Sequence, residues 1–427
     1  MQILNTKKPL IGQLAIVSIA LTLPLSITLG NIAIIISFAL SLLFIKKEDI
    51  KANYPFPISF PFLFFIIVFI SAIFSKNMDI GFSRLDRHLL PLLLTVIIVV
   101  FKEISLNRVL KLFTYFLTFF TSILIGKLIL GLIKGQGLDQ LVFHDFAALY
   151  GQHPVYYGLQ ILVSLLYLIL KLKDDYAVTV KDWRWYIQII ILQTGMIFCA
   201  SKAVFAIFVM LVLVGLFFFV KGKSKKVMVL FGLVLLLSCV YKVKFLNERF
   251  AEGIKIKSSI IHFSPTNDFK LKTQFSLKEK QSITDLELRV LFTKISIYHL
   301  HKDHKVLFGY GVGDAQDYLD YYLFSYNLGP NWYQGYNVHN QYLHLLLNYG
   351  IVVLSLFLVY LFMLFRDAFK AKDYLHMAIL IAFCFVFLFE VSLIRNKGIV
   401  LFYFFNLLFL TNNTYFENSY FRNTGNT

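Results

Sequence analysis

Long apolar runs alternate with short polar joints along most of the chain. A helix needs about 20 mostly apolar residues to cross the hydrocarbon core of a bilayer. Runs that approach or meet this length lie at 9–29, 31–45, 55–74, 88–101, 108–133, 155–171, 184–200, 203–220, 226–245, 338–365, 375–394 and 398–412. They predict an all-α, polytopic integral membrane protein with about twelve transmembrane helices. Only Gly30 and Asn31 separate the first two runs, which predicts a tight helical hairpin there. The first run follows Lys7 and Lys8 and lacks a small-residue cleavage site, so it reads as a retained span rather than a signal peptide. No run of this kind occurs over 246–337. Residues 285–303 there, DLELRVLFTKISIYHLHKD, read as an amphipathic helix with Leu288, Leu291, Ile295 and Tyr298 on one face.

Composition supports the membrane reading. Hydrophobic residues make up 58% and charged residues 15%, with a mean hydropathy of +0.71. A soluble chain carries about 25% charged residues. Disorder, collagen and coiled coil are excluded by the same values. Cys199, Cys239 and Cys384 all sit in apolar runs, so neither a disulfide framework nor a CxxC metal site is expected.

The net charge of +17 would point to nucleic acid in a soluble chain. In a membrane protein it reports topology and contact with anionic lipid instead. With the N-terminus inside, the cytoplasmic segments hold twenty Lys and Arg residues. The short outer segments hold seven: Lys76, Arg84, Arg87, Lys134, Lys202, Arg395 and Lys397. The positive-inside bias therefore puts both termini in the cytoplasm. The chain divides into spans one to nine (1–245), one large extracytoplasmic helical loop between spans nine and ten (246–337), spans ten to twelve (338–412) and a polar, Asn-containing cytoplasmic tail (413–427).

Outer cations next to span ends are unusual enough to suggest chemistry. Charges at membrane depth are costly and tend to mark function. Taken one at a time they read as snorkelling side chains, and Lys76 and Lys134 fit that reading. If Arg84, Arg87, Lys202 and Arg395 converge, they form a site for a di-anionic headgroup, because the planar guanidinium grips phosphate oxygens in bidentate fashion. Arg289 lies opposite the apolar stripe of its helix, beside Thr293 and Ser296, facing either water or a cleft. His339 and Asn340 sit where the tenth span begins. There the helix N-terminus favours an anion, and an imidazole can accept a hydroxyl proton near neutral pH. A capping or interfacial histidine is the plainer alternative. His344 reads as structural.

Other patterns carry less. The glycines at 309, 311 and 313 suggest a phosphate cradle, but Asp314 as helix N-cap and Asp317 in the first turn would repel phosphate. A tight turn leading into a short helix is the better reading. His299 and His301 point about 200° apart on a helix, so YHLHKDH makes a poor zinc site. His153–Pro154 reads as the start of a helix with proline in its first turn, and His153 counts among the cavity-lining candidates with His144 and Asp145 nearby. No GxSxG, HExxH or Walker motif is present.

Two stretches, LELRVLFTKISIYHLHKDHKVLFGYGVGDAQDYLDYY and GYNVHNQYLHLLLNYGIVVLSLFLVYLF, resemble the O-antigen ligase and O-antigen polymerase superfamily. That family's pattern is an Arg-led amphipathic helix, a P-L-x-G-x-G turn, then H-N-x-Y-L-x-x-L-x-x-x-G opening a membrane helix. The matching positions are Arg289, Gly309–Gly313, then His339, Asn340, Tyr342, Leu343 and Gly350. Twelve spans with a large outer loop between the ninth and tenth also resemble the ligase layout. Two departures stand out. Ser201–Lys202 replaces the family's Ser-Arg, keeping the charge but losing the fork, and the proline of the glycine turn is missing around Lys305–Val306.

The resemblance implies a metal-independent, inverting glycosyltransferase of the bacterial inner membrane, with its active site on the periplasmic side and no cofactor. The donor would be a glycan on undecaprenyl diphosphate. The acceptor would be a sugar hydroxyl, on lipid A core for a ligase or on another carrier-linked chain for a polymerase. His339 and Arg289 would be catalytic. Lys202, Arg84, Arg87 and Arg395 would bind the diphosphate, supported by Asn340, Tyr342 and His153. A transporter or flippase of polyprenyl-linked glycans is the reading from another class. It predicts mid-span charges or paired broken helices, and the chain offers mainly Lys127 and Glu390, the latter able to pair with Arg395. An adhesin or receptor built on 246–337 would leave the short-loop cations unexplained.

Overall fold

The computed structural model describes residues 2–47, 54–174, 181–218, 256–268, 274–329 and 332–412, with a few isolated positions between them. The expected ninth span, 226–245, and the tail, 413–427, lie outside the described residues. All regular structure among the described residues is helical. The helices are α1 (Gln2–Thr22), α2 (Ile27–Leu42), α3 (Phe56–Ile73), α4 (Met78–Ser83), α5 (Leu85–Val100), α6 (Leu106–Ile133), α7 (His144–Ala148), α8 (Pro154–Asp174), α9 (Trp183–Cys199), α10 (Lys202–Phe218), α11 (Ser258–His262), α12 (Leu277–Gln281), α13 (Asp285–Lys302), α14 (Ala315–Ser325), α15 (Gln341–Lys370), α16 (Tyr374–Val386) and α17 (Asn396–Thr411).

Four of these, α3, α6, α8 and α15, have a stretch long and apolar enough to cross a membrane. Their exposed side chains are apolar where a soluble protein would place charge: Phe62, Ile66, Phe69 and Ile70 on α3, and Phe119, Ile123, Ile129 and Leu130 on α6. Apolar residues on both the buried and exposed faces are what a bilayer solvent requires. Helix α17 differs. Nearly every one of its residues is buried, and it packs chiefly on α5, with α8, α15 and α16 around it. A largely apolar helix of only 16 residues, buried on all sides, thus forms the centre of the bundle.

Two expected boundaries are corrected. The first hairpin turns at Leu23–Ser26, and Gly30 and Asn31 lie inside α2. Pro24 has no N–H to continue α1, and Ser26 caps α2 by accepting from Leu29 N at 3.2 Å. The carbonyls of Leu23 and Leu25 left open at this turn are met from elsewhere: both accept from Gln152 Nε2, at 2.8 and 2.6 Å, and both from Lys397 Nζ. Lys397 is therefore buried as a cap for the end of α1. The run 375–394 also does not stay helical; α16 ends at Val386, and residues 387–395 form a loop before α17.

The amphipathic helix expected near 285–303 is α13. Thr284 and Glu287 close a capping box at its start, as the T-D-L-E spacing demands. Leu288, Leu291 and Ile295 are buried as expected, but so are Phe292, Ser296 and His299. Ser296 thus belongs to the packed side, not with Arg289. The helix is wrapped by α11, α14 and α15 around a second, smaller core containing Phe263, Phe275, Leu319, Leu323 and Tyr326. His299 stacks on Tyr322 at 3.6 Å and bonds the Tyr326 hydroxyl at 3.0 Å.

The glycine turn locks this smaller core to the bundle. It leads into the short helix α14, as expected. On one side, Val312 N and Gly313 N donate to Ser71 Oγ and Ser75 Oγ of the α3 end, both at 3.0 Å. On the other, Tyr310 N donates to Leu347 O at 2.7 Å, Gly311 N to Asn348 O at 3.0 Å, and Ile351 N to Val306 O at 2.8 Å. These last bonds are available because α15 is broken at Gly350 (φ 76°, ψ −176°). A Cβ on Gly309 would stand 2.6 Å from Leu347 O, and one on Gly350 would overlap Leu307 O. Asp314 does not cap α14 with its side chain. Its carboxylate accepts instead from Lys76 N and Asn77 N, both at 2.8 Å. A local cap reading is overruled here by a contact 238 residues away in sequence.

Gly350 occupies backbone space that essentially only glycine tolerates, and a side chain would push the turn away. Gly350→Ala is expected to cost about 2–4 kcal/mol. Thermal unfolding of the purified protein in detergent, with Gly215→Ala as a control in open helix surface, checks this; equal midpoints would contradict it.

Candidate active site

Polar groups gather at the bundle end where α3, α8, α15 and α17 meet the smaller core. Their floor is the 387–395 loop. Its exposed carbonyls attract donors from three other segments. Phe389 O accepts from Arg289 Nε and Nη2 at 3.3 and 3.2 Å, and Ile394 O from Arg87 Nη1 at 2.8 Å. Leu388 O accepts from Asn340 Nδ2 at 3.3 Å, and Phe387 O from Gln341 N at 2.8 Å. Gln341 Oε1 returns the contact by accepting from Leu393 N at 2.7 Å.

Arg289 Nη1 also donates to Asp285 O at 2.7 Å, one helical turn back. Three of its five N–H groups are thereby fixed. One on each terminal nitrogen remains for an anion. Its environment is half-buried, and burial lowers the guanidinium pKa, with Asp285 and Glu390 acting in the other direction.

His339 precedes the N-cap of α15 in the left-handed conformation, at φ 48°. Its N–H donates to Asn337 Oδ1 at 2.8 Å, and Asn340 caps the helix by accepting from Leu343 N at 3.0 Å. The H-N dipeptide thus combines a sharp bend with a cap. The bend aims the ring inward, where Nδ1 is buried with no hydrogen-bond partner. Burial is the main cause lowering the His339 pKa to about 4; Arg289 adds to this, Asp285 opposes it and Arg395 adds again. The imidazole is therefore neutral at neutral pH and able to take a proton.

His153 lies across the same space. Burial, then Arg395, His144 and His339, lower its pKa to about 4. Its ring sits 5.1 Å from that of His144 and 5.6 Å from that of Tyr156. Arg395 Nε reaches Glu390 Oε1 at 3.8 Å, the ion pair the sequence suggested. Glu390 is buried, which raises its pKa, while Arg395 and Arg289 oppose that. Tyr156 Oη, Ser392 Oγ and Glu390 Oε1 are all buried without hydrogen bonds. Tyr156 and Ser392 face each other outside hydrogen-bonding geometry. Three buried polar atoms left without partners in one place are uncommon in a folded protein and mark the spot as a functional candidate.

The sequence-derived candidates therefore fall into groups. Arg289, His339, Arg395 and His153 share one charge neighbourhood. Arg87 supports it from behind, holding the carbonyl that precedes Arg395. Arg84 stands to the side, next to Arg87, Tyr349 and Asp317, and burial lowers its pKa. Lys202 opens α10, and Val204 in the same turn faces Gly158 on α8. Tyr342 Oη donates to Cys384 O at 3.1 Å, anchoring α15 to α16. Lys76 is exposed and donates to Tyr318 Oη at 3.4 Å. Sequence reasoning missed Tyr156 and Ser392 and the role of the 387–395 loop. Glu390 within an apolar run was the available signal; nothing marked Tyr156.

Fold and site together describe a helical membrane protein with a desolvated histidine beside guanidinium groups. Residues 188–358 match the O-antigen ligase family. This stretch contains Lys202, Arg289, the glycine turn and the His339–Gly350 segment, and over it the resemblance read from the sequence is shown. It supports O-antigen ligase- or polymerase-type function in bacterial polysaccharide assembly, within a family of membrane glycosyltransferase-like enzymes. No curated protein matches the chain.

Proposed function

We propose that the protein is an O-antigen ligase-type glycosyltransferase. It moves a glycan from undecaprenyl diphosphate to a sugar hydroxyl of lipid A core, on the periplasmic side of the bacterial inner membrane. Twelve spans, with 226–245 as the ninth, place both termini in the cytoplasm and make 246–337 the periplasmic loop. The observation that carries the reading is the unpartnered Nδ1 of neutral His339 beside Arg289.

In this mechanism His339 Nδ1 accepts the proton of the acceptor hydroxyl as its oxygen attacks the anomeric carbon from the face opposite the diphosphate. The C–O bond to phosphate breaks, its electron pair leaves with the diphosphate, and the configuration inverts. Arg289 offers its two remaining N–H groups to the developing charge, joined by Arg395 and Lys202, with Arg87 and Arg84 in support. Preorganised cations of this kind stabilise charge at the moment it forms. His153 and Glu390 hold Arg395 and the acceptor in register. Because guanidinium groups supply the neutralising charge, turnover is expected to survive excess chelator. A transfer assay with carrier-linked glycan and lipid A core, with and without EDTA, checks this; loss of activity restored by a divalent cation would contradict it.

The polymerase reading uses the same chemistry with a second carrier-linked chain as acceptor. Gene deletion separates the two: carrier-linked polymer accumulating while lipid A lacks long chains means ligase, and single-repeat products mean polymerase. Transport is disfavoured by a specific observation. The break in α15 at Gly350 is filled by the backbone of the glycine turn and does not line a passage.

A further inference from the structure

A cavity of about 730 Å³ lies between the α3–α4 joint and α14, lined by Lys76, Asn77, Asp79, Asp317, Tyr318 and Tyr321 among others. Its charge is opposite to that of the candidate active site. Asp79, Asp314 and Asp317 face one ammonium, that of Lys76. Asp314 is occupied by the Lys76 and Asn77 amides. Asp79 and Asp317 are exposed and accept no hydrogen bond among the described residues. No group of three metal-binding side chains forms among the described residues, so these carboxylates are not a cation cage.

The tyrosines are held ready. Tyr318 stacks on Tyr310 at 4.4 Å, and Tyr310 Oη donates to Asp303 Oδ2 at 2.7 Å. Tyr321 is 65% exposed and abuts Tyr322, which donates to the same Asp303. A large exposed aromatic beside unpaired carboxylates suits a sugar ring: its C–H face covers the aromatic surface and its hydroxyls donate to charged acceptors. A phosphate or a uronic acid would meet repulsion instead.

Neighbouring residues also link the cavity wall to the candidate active site. Asp317 is a charge neighbour of Arg84. On the adjoining face of α14, Gln316 Nε2 donates to Tyr336 O at 3.1 Å, and the Tyr336 ring lies 6.2 Å from that of His339. We infer that this cavity is a glycan subsite, binding a neutral or amino-bearing sugar several units from the transferred bond, with Tyr321 as the stacking platform and Asp79 and Asp317 as hydroxyl acceptors. The inference rests on the transferase reading for the ligand's source, while the binding itself can be measured without turnover.

The test uses the full chain in nanodiscs carrying His339→Ala, so that nothing is consumed. The probe is the producing cell's own surface glycan, released by mild acid, with polygalacturonate oligomers as the anionic control. Adding Tyr321→Ala and Asp317→Asn, both at exposed positions, is expected to weaken binding of the released glycan about tenfold or more, the loss of one or two hydrogen bonds to a charged acceptor. In the otherwise wild-type enzyme the pair should raise KM for carrier-linked glycan while kcat stays within about twofold. No binding of the released glycan, binding unchanged in the variant, or equal binding of polygalacturonate overturns the subsite. Absence of transfer by wild-type protein, with the variant still weakening glycan binding, overturns the transferase reading and leaves the subsite standing.

Discussion

Replacing His339 with alanine is expected to lower kcat by about 10²–10⁴-fold while leaving the amount of folded protein unchanged, the usual contribution of a positioned general base. The ring makes no side-chain hydrogen bond that folding depends on, since its Nδ1 is unpartnered and the turn is held by the backbone N–H to Asn337 and by the Asn340 cap. The pH profile provides a second check. A base with a pKa near 4 is already neutral above about pH 5, so kcat/KM should be flat from neutrality down to that point and fall through about pH 4. A profile breaking at the ordinary histidine value near 6.5 would mean that the imidazole is not desolvated. Stability follows the same sign. In the unfolded chain His339 and His153 take up protons near 6.5, whereas the folded rings resist until about 4. The fold therefore loses stability as pH falls through that window. Turnover of His339→Ala near the wild-type rate would remove the base from the mechanism.

Arg289 is expected to have a comparable effect for a different reason. Arg289→Ala should reduce kcat and kcat/KM together by about 10²–10³-fold, as removal of a charge-stabilising donor does. Arg289→Lys is the more informative variant. A guanidinium can hold Phe389 O and Asp285 O and still present one N–H from each terminal nitrogen. An ammonium keeps the charge but cannot span both carbonyls and a bidentate anion. Lysine should thus recover less than about a tenth of the lost activity. Full rescue would reduce Arg289 to a point charge and weaken the case for a gripped diphosphate. Measured transfer rates on matched amounts of folded protein decide between these outcomes.

How much of this was visible in the sequence depends on the scale of the feature. Helices of sustained apolar character were legible, because hydropathy over a full span integrates many residues. Their joints were not. Pro24 sits in an unbroken apolar stretch, and the glycine–asparagine pair a few residues on looked like the better turn. The 387–395 loop keeps a span-like composition, with Glu390 as the only charge before Arg395, so a window average passes over it. Arg289 and His339 were marked by residue type and by the family resemblance. Their shared anchor, a strip of backbone carbonyls, has no side-chain signature at all. Asp314 shows the same limit from the other side. Local rules assigned its carboxylate to its own helix, while tertiary contact gave it to the α3–α4 joint.

The 387–395 loop also bears on how the site comes into being. Arg87, Arg289, Asn340 and Gln341 are synthesised before the segment whose carbonyls and amide orient them. Each finds its partner only once residues 387–395 have been made and α17 has slotted into the middle of helices laid down earlier. A ribosome stalled before residue 387 thus leaves a nascent chain that already holds Arg87 and Arg289 but lacks the carbonyls that orient them.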